Sequence, residues 1–363
     1  MQFKNHINQL VRLQTSQDRD LKNGILLDRN ERVDYFNNKT FKLIKKNISQ
    51  FSLNATPDIN LLYKELAKKH KTKTSNIYIG QGITEIISHI LFSIVKSKEE
   101  VIILNQTYPM YDVLCKLHNI KYKEWKFTEN FDLKFEDLKK LITKKTRVLF
   151  LVNPNLPIEF EFNEKLKKEI NDICKKNNII VAYDEAYHYF GAKSEDKNIN
   201  KNKNTIVLRT FSKAWGLPGI RLGYMIANKE LCNYVSKCRS LVETNAFSFQ
   251  IALWALRNKY ILSEHLKHVK MGSKYIRKKL KEMKEIYYGG NVTNAIIIKL
   301  KNKEATEHLR SYLRDKKIYI RTKFKGLINN YIRISLGSPK KLSKFIHEYI
   351  KWKKKYTKYK FPY

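Results

Sequence analysis

A lysine, an aspartate, three arginines and a glycine-rich turn set the chemistry open to this chain. Lys213 lies in TFSKAWGLPGIRLGY, Thr210 to Tyr224, directly after the β-branched run Thr205 to Leu208. A lysine held at a strand end can form an imine with an aldehyde cofactor. Arg221, eight residues on and flanked by glycines, can clamp a phosphate. GQGITE, Gly80 to Glu85, leads straight into an apolar helix, where free backbone N–H groups suit a phosphate. Asp184, in YDEAY, closes a buried strand, which puts it at the sheet edge where ligands bind. Arg321 and Arg333 (the latter in IRISLGS) each carry a fork that can hold a carboxylate by two parallel bonds.

In this order the strings resemble the fold-type I, class I/II pyridoxal-phosphate aminotransferases, and most closely the histidinol-phosphate aminotransferase branch. The resemblance spans about residues 25–340. It implies pyridoxal 5'-phosphate on Lys213, with Thr210 and Ser212 beside it. It implies a cofactor phosphate held at Gly82 by the amides of Ile83 and Thr84, opposite Arg221. Tyr108, in TYPMY, would stack on the ring, a contact worth about 0.5–1.5 kcal/mol. Asp184 would pair with the protonated ring nitrogen, and Tyr187 would bond the phenolic oxygen. Arg333 would take the substrate carboxylate and Arg321 a substrate phosphate. Asn294 and Asn30, the latter in RNER, would lie near the substrate.

Two strings depart from the family pattern. NPNNPTG is NPNLPIE here, Asn153 to Glu159, so Leu156 replaces an asparagine that bonds the phenolic oxygen. Either Tyr187 carries that contact alone or Asn155 reaches it. Losing a donor there raises the pKa of the lysine–cofactor imine. LNRYP is LNATP, so Thr56 stands where a tyrosine would reach the partner subunit's cofactor.

The elements that position these residues read as an α/β fold. Strands are expected at 101–104, 147–152, 179–183, 205–208 and 221–227, with a less definite one at 120–127. Helices are expected at 61–70, 85–95, 135–142 and 164–176. Continuous apolar runs such as VLFLV and IIVAY require a mainly parallel sheet with helices on both faces, and the resemblance implies that it is of the seven-stranded type. A long helical pattern follows over 247–283. The chain then builds a small α+β unit with strands at 295–300, 318–321 and 331–335 and helices at 303–315 and 340–354. The expected division is a large cofactor-binding domain over 46–255, a connecting helix over 256–286, and a small domain from 1–45 with 287–363. The stretch 192–204 reads as a surface loop.

The bulk numbers narrow the class. The 363 residues, 42% hydrophobic, suit two domains with a sizeable core. Cys115, Cys174, Cys232 and Cys238 show no paired spacing, so neither a disulfide framework nor a metal site is expected. No apolar run approaches the roughly 18 residues of a membrane span, and the N-terminus lacks a signal-peptide core. The net charge of +38 is spread along the chain, densest in KWKKKYTKYKFPY, and reads as a lysine-rich solvated surface rather than a nucleic-acid patch. The reading is a cytoplasmic, homodimeric pyridoxal-phosphate aminotransferase acting on an amino acid, phosphorylated or otherwise anionic, and a 2-oxo acid. A decarboxylase on the same scaffold, and a non-catalytic or nucleic-acid-binding relative, are the alternatives.

Overall fold

Four strands of the chain, β5 to β8 below, are apolar almost without interruption, and such strands are stable only when both sheet faces are covered. The structure, a computed structural model, describes residues 4–8, 10, 19–48 and 51–358. The strands among them are β1 (Ile25–Leu26), β2 (Ile77–Gly80), β3 (Glu100–Leu104), β4 (Lys121–Trp125), β5 (Thr146–Val152), β6 (Ile180–Asp184), β7 (Thr205–Thr210), β8 (Gly223–Ala227), β9 (Tyr287–Gly289), β10 (Ala295–Lys299), β11 (Ile318–Tyr319) and β12 (Tyr331–Ser335). Seven form one sheet in the order β2-β8-β7-β6-β5-β3-β4. Only β8 runs against the rest, pairing antiparallel with both β7 and β2. This is the expected mainly parallel α/β sheet.

Helices cover both faces. Ile83–Ile94 packs Ile86, Ile87, Ile90 and Leu91 on one face, against Val101, Ile103, Phe150 and Met225. Asn60–Lys69 and Ala246–Arg257 cover part of the other, with Leu62, Leu66 and Ala252 against Ile79, Val207 and Ile226. The many asparagines have a local use. Asn37, Asn163, Asn228, Asn245 and Asn302 each cap a helix, the side chain accepting from the third amide on. Such a cap is worth about 1 kcal/mol.

The remaining core joins the two ends of the chain. β9, β10 and β12 form an antiparallel sheet whose Ile296, Ile298, Ile332 and Ile334 pack on helices Tyr260–Glu282, Lys303–Asp315 and Pro339–Lys358. β1 pairs with β11, and Ile25, Leu27 and Val33 complete this core. Leu27 donates its amide to Tyr319 and its carbonyl accepts from Ser335. The segment after β1 is thereby carried to the edge of the large sheet.

Most expected elements lie within two residues of their observed bounds, and the last helix runs on to Lys358. The differences have physical causes. The strand expected from 221 starts at Gly223, because Arg221 is in the left-handed region, φ 50, after a turn. The strand expected to reach 321 ends at Tyr319; Arg321 makes an isolated bridge with Arg333. The pattern over 247–283 is two helices, broken at Asn258–Lys259. The stretch 192–204 is no simple surface loop: Glu195 and Ile199 are buried, and Ser194 and Asp196 join an ion cluster with Arg209, Glu185 and His70. Parts of the N-terminal arm (1–3, 9 and 11–18) and the last five residues of the lysine-rich tail lie outside the described residues.

Candidate active site

The carboxyl ends of β5, β6 and β7 deliver the expected residues to one edge. Asp184 is the last residue of β6 and is 3% exposed. Its Oδ2 accepts from the Tyr111 hydroxyl at 2.9 Å and its Oδ1 from the Ala186 amide at 3.0 Å. Burial pushes this carboxyl up to about 6, against those two bonds and the nearby Lys213 charge. Both bonds come from neutral groups, and among the described residues no salt bridge to Asp184 is present. The folded protein holds this proton more tightly than the unfolded chain, so stability is present below the ordinary range near 4 and is lost as pH rises through about 6. In apo-protein, Asp184→Asn should gain on the parent across that window by up to about 3 kcal/mol. Urea unfolding at pH 4 and pH 7 checks this; a pH-independent difference would refute the raised carboxyl.

Gly82, Gly223 and Arg221 shape the start of helix Ile83–Ile94. Gly82, φ 86, caps helix Ile83–Ile94, whose first amides have no partner within the helix. A Cβ on Gly82 would come within 3.0 Å of Arg221 Nη2, so that guanidinium lies beside the helix start. A Cβ on Gly223 would come within 2.7 Å of the Ile83 amide nitrogen, and only glycine keeps that approach open. Thr210 Oγ1 accepts from the Ser212 amide and donates to Leu222 O, tying the lysine loop to this cradle. Thr84 Oγ1 and the Tyr108 hydroxyl are 3.2 Å apart, which brings the Tyr108 ring over the same edge.

Lys213 is half-buried. Its Nζ donates to Arg29 O at 3.1 Å and lies 5.7 Å from the Tyr187 ring centroid. The Tyr187 hydroxyl accepts from Asn30 Nδ2 at 3.0 Å. Asn294 Nδ2 donates to Asn30 O at 3.1 Å. Arg32 packs its stem on Gly216 and pairs with Glu264 at 2.8 Å, fixing the RNER segment over the lysine loop.

The departing string has a clear outcome. Leu156 is buried and offers no donor. Asn155 spends both amide hydrogens on Gln106 O and Ile158 O, at 2.8 and 2.9 Å. It therefore cannot donate to a phenolic oxygen, which corrects the expectation that it could. Glu159, where the family pattern has glycine, accepts from five donors: the amides of Gly290, Asn291 and Val292, Asn291 Nδ2 and Thr293 Oγ1. It fastens the loop after β5 to the β9–β10 turn.

Arg333 and Arg321 face each other across their bridge, each amide donating to the other's carbonyl at 2.8 and 3.0 Å. Directly paired residues share a face, so two guanidiniums are brought together. Burial brings Arg333 down to about 10, and Arg321 adds to the fall. Arg321 is lowered by burial first, then by Arg29 and Arg310, with Asp28 opposing. Arg333 Nη2 donates to Asp28 O at 2.8 Å, while its buried Nε has no partner.

Tyr111, Ser335, Glu159, Asp28 and Arg29 escaped sequence reasoning. Tyr111 had a signal: it is one helical turn after Tyr108 in the same TYPMY string. The others act across the fold and have none.

The family model for aminotransferase class I and II matches residues 23–348. The chain belongs to this family. The histidinol-phosphate aminotransferase of Methanocaldococcus jannaschii is 31% identical over 293 residues, 79% of this chain and 78% of the relative. The solved histidinol-phosphate aminotransferase of Sinorhizobium meliloti, in complex with pyridoxal-5'-phosphate, superposes with TM-score 0.81 at 20% identity over 95% of each chain. The L-threonine-O-3-phosphate decarboxylase of Porphyromonas gingivalis superposes at 0.75 with 20% identity, over 90% of this chain and 99% of that one. At these identities the two structures share its fold. This aminotransferase is a pyridoxal-phosphate enzyme. Its own residues fit that cofactor: the open approach at Gly223 and the buried Asp184, bonded only by neutral groups and sensing the Lys213 charge, share one sheet edge.

Proposed function

We propose that the enzyme takes an amino donor bearing a phosphate or a second anionic group and passes its nitrogen to a 2-oxo acid. The observation that carries this is the Arg321–Arg333 bridge with Arg29 close by, where Asp28 is the acid that both arginines sense. Arg333, partly buried, with the exposed Arg321 beside it, is best neutralised by an anionic ligand. The names of the relatives, histidinol-phosphate aminotransferases, point the same way.

Bound at this site, pyridoxal 5'-phosphate supplies an electron sink that acidifies the Cα–H of the attached amino acid. The chain's residues do the rest. The amides of Ile83 and Thr84, with Gly82, Thr210, Ser212 and Arg221, hold the phosphate. Asp184 keeps the proton on the ring nitrogen. Tyr108 covers one ring face. Lys213 Nζ would hold the cofactor and, once freed, would be the base that carries the proton taken from the substrate Cα. Arg333 orients the carboxylate, with Asn294 and Asn30 alongside, and Arg321 meets the distal anion.

Arg321→Ala should raise KM for a phosphorylated donor by about 10- to 100-fold, the worth of a charge-assisted bond, and change KM little for the dephosphorylated alcohol. Oxo-product formation without carbon dioxide release is the readout. Equal losses with both donors would overturn the reading.

Tyr187 is the donor we assign to the phenolic oxygen, with Leu156 silent. Leu156→Asn should lower the pH midpoint of the visible band by about half a unit, because an added donor stabilises the deprotonated form of the linkage. An unmoved titration would show that residue 156 does not face this oxygen.

We also propose a cytoplasmic homodimer. Leu241 is 95% exposed and Leu53 is 76% exposed, and both are apolar surface that a second copy would cover. Light scattering tests it. The division into 46–255, 256–286 and 1–45 with 287–363 is supported by the separate core around β10 and β12, which draws on both chain ends.

A further inference from the structure

Leu156 leaves the phenolic oxygen of the cofactor one donor short, and Asn155 cannot supply it. The compensation comes from the other end of the chain. Asn30 is 2% exposed and sits in the left-handed region, φ 54, which asparagine tolerates better than most residues. Three bonds hold it there. Its amide donates to Ser335 Oγ at 2.8 Å, its carbonyl accepts from Asn294 Nδ2 at 3.1 Å, and its own Nδ2 donates to the Tyr187 hydroxyl at 3.0 Å. Ser335 Oγ in turn donates to Leu27 O at 3.0 Å. The backbone of Asn30 is thus pinned independently of its side chain, and the side chain has one described partner, Tyr187.

An oxygen that accepts a hydrogen bond gives up its own hydrogen more strongly, since bonded groups polarise one another. The Asn30 amide also occupies an acceptor position on the Tyr187 oxygen, so the hydroxyl hydrogen must point elsewhere. The titratable and charged groups facing Tyr187 are Lys213 at its ring, Arg333 and Tyr108. None of these is described as bonding the Tyr187 hydroxyl, which leaves Asn30 as the side chain that orients it.

We propose that Asn30 is a positioning residue: it holds the Tyr187 hydroxyl as a strengthened donor toward the phenolic oxygen and so makes good the contact that Leu156 cannot make. The inference rests on the assignment of Tyr187 to that oxygen.

The test is a double-mutant cycle read from the pH midpoint of the visible band of the holoenzyme. Asn30→Gly keeps the left-handed backbone and removes only the amide. Asn30→Asp keeps the shape and replaces the donor by an acceptor that competes for the Tyr187 hydrogen. Losing support for the deprotonated linkage raises its midpoint. Asn30→Gly should raise it by about half a unit, Asn30→Asp by more, and Tyr187→Phe by about one unit, on the scale of one hydrogen bond. In the Tyr187→Phe background, Asn30→Gly should add nothing. A shift of equal size in both backgrounds, or none in the parent while Tyr187→Phe still shifts, overturns the role of Asn30. An unmoved midpoint in Tyr187→Phe alone overturns the assignment of Tyr187 and this inference with it.

Discussion

Borohydride reduction of the holoenzyme should fix the cofactor on Lys213, and Lys213→Ala should lose both the reducible label and the visible band. Turnover should fall by about 10⁴-fold, the upper range for losing a positioned proton-transfer group, and by more if the covalent linkage itself speeds exchange. The chain is rich in lysine, so the assignment is demanding. What separates Lys213 is placement. It is half-buried, its Nζ is tied to Arg29 O, and it lies on the loop joining β7 to the turn that carries Arg221. Peptide mapping of the reduced protein is decisive, because a label on any other lysine would dismiss the site as drawn.

Asp184→Ala should lower turnover by about 10²- to 10⁴-fold with the fold intact. The carboxylate is buried and bonded by the Tyr111 hydroxyl and the Ala186 amide, so it is preorganised to hold a ring-nitrogen proton with no rearrangement. Asp184→Asn should be nearly as slow, since an amide preserves shape but cannot balance that charge. Activity within a few-fold of the parent would remove Asp184 from the mechanism. Tyr111→Phe should cost less, because it leaves the charge and deletes one bond.

The strings assigned to the site were legible because the chemistry proposed for them admits few substitutes. A Ser-Lys pair after a β-branched strand, an aspartate closing a buried one, and glycines opening an apolar helix each state a requirement in a few consecutive letters. The sheet was legible for the same reason: VLFLV and IIVAY can only be covered strands. β4 was harder because an edge strand faces water, so its KYKEW lacks an apolar signature. β2 was missed because its four residues run straight into the glycine turn. The stretch 192–204 misled because polar letters look alike whether solvated or paired. Its Glu195 meets buried Lys167 at 2.8 Å, while Arg209 meets Glu185 at 2.7 Å. Contacts between distant parts were not legible at all. Asn30 and Tyr187 are 157 residues apart, and nothing local in RNER points to a tyrosine.

Glu159 has a mechanical consequence. Pulling the β9–β10 turn away from the loop after β5 strands one carboxylate and five donors together, at a cost of several kcal/mol on the scale of charge-assisted bonds. Further along the chain, Gln106 Nε2 donates to Lys325 O at 3.1 Å, and Ile328 and Tyr331 share one apolar core with Phe127, Leu149 and Ile158. A load on the β9–β10 turn is therefore carried straight into the loop after β5.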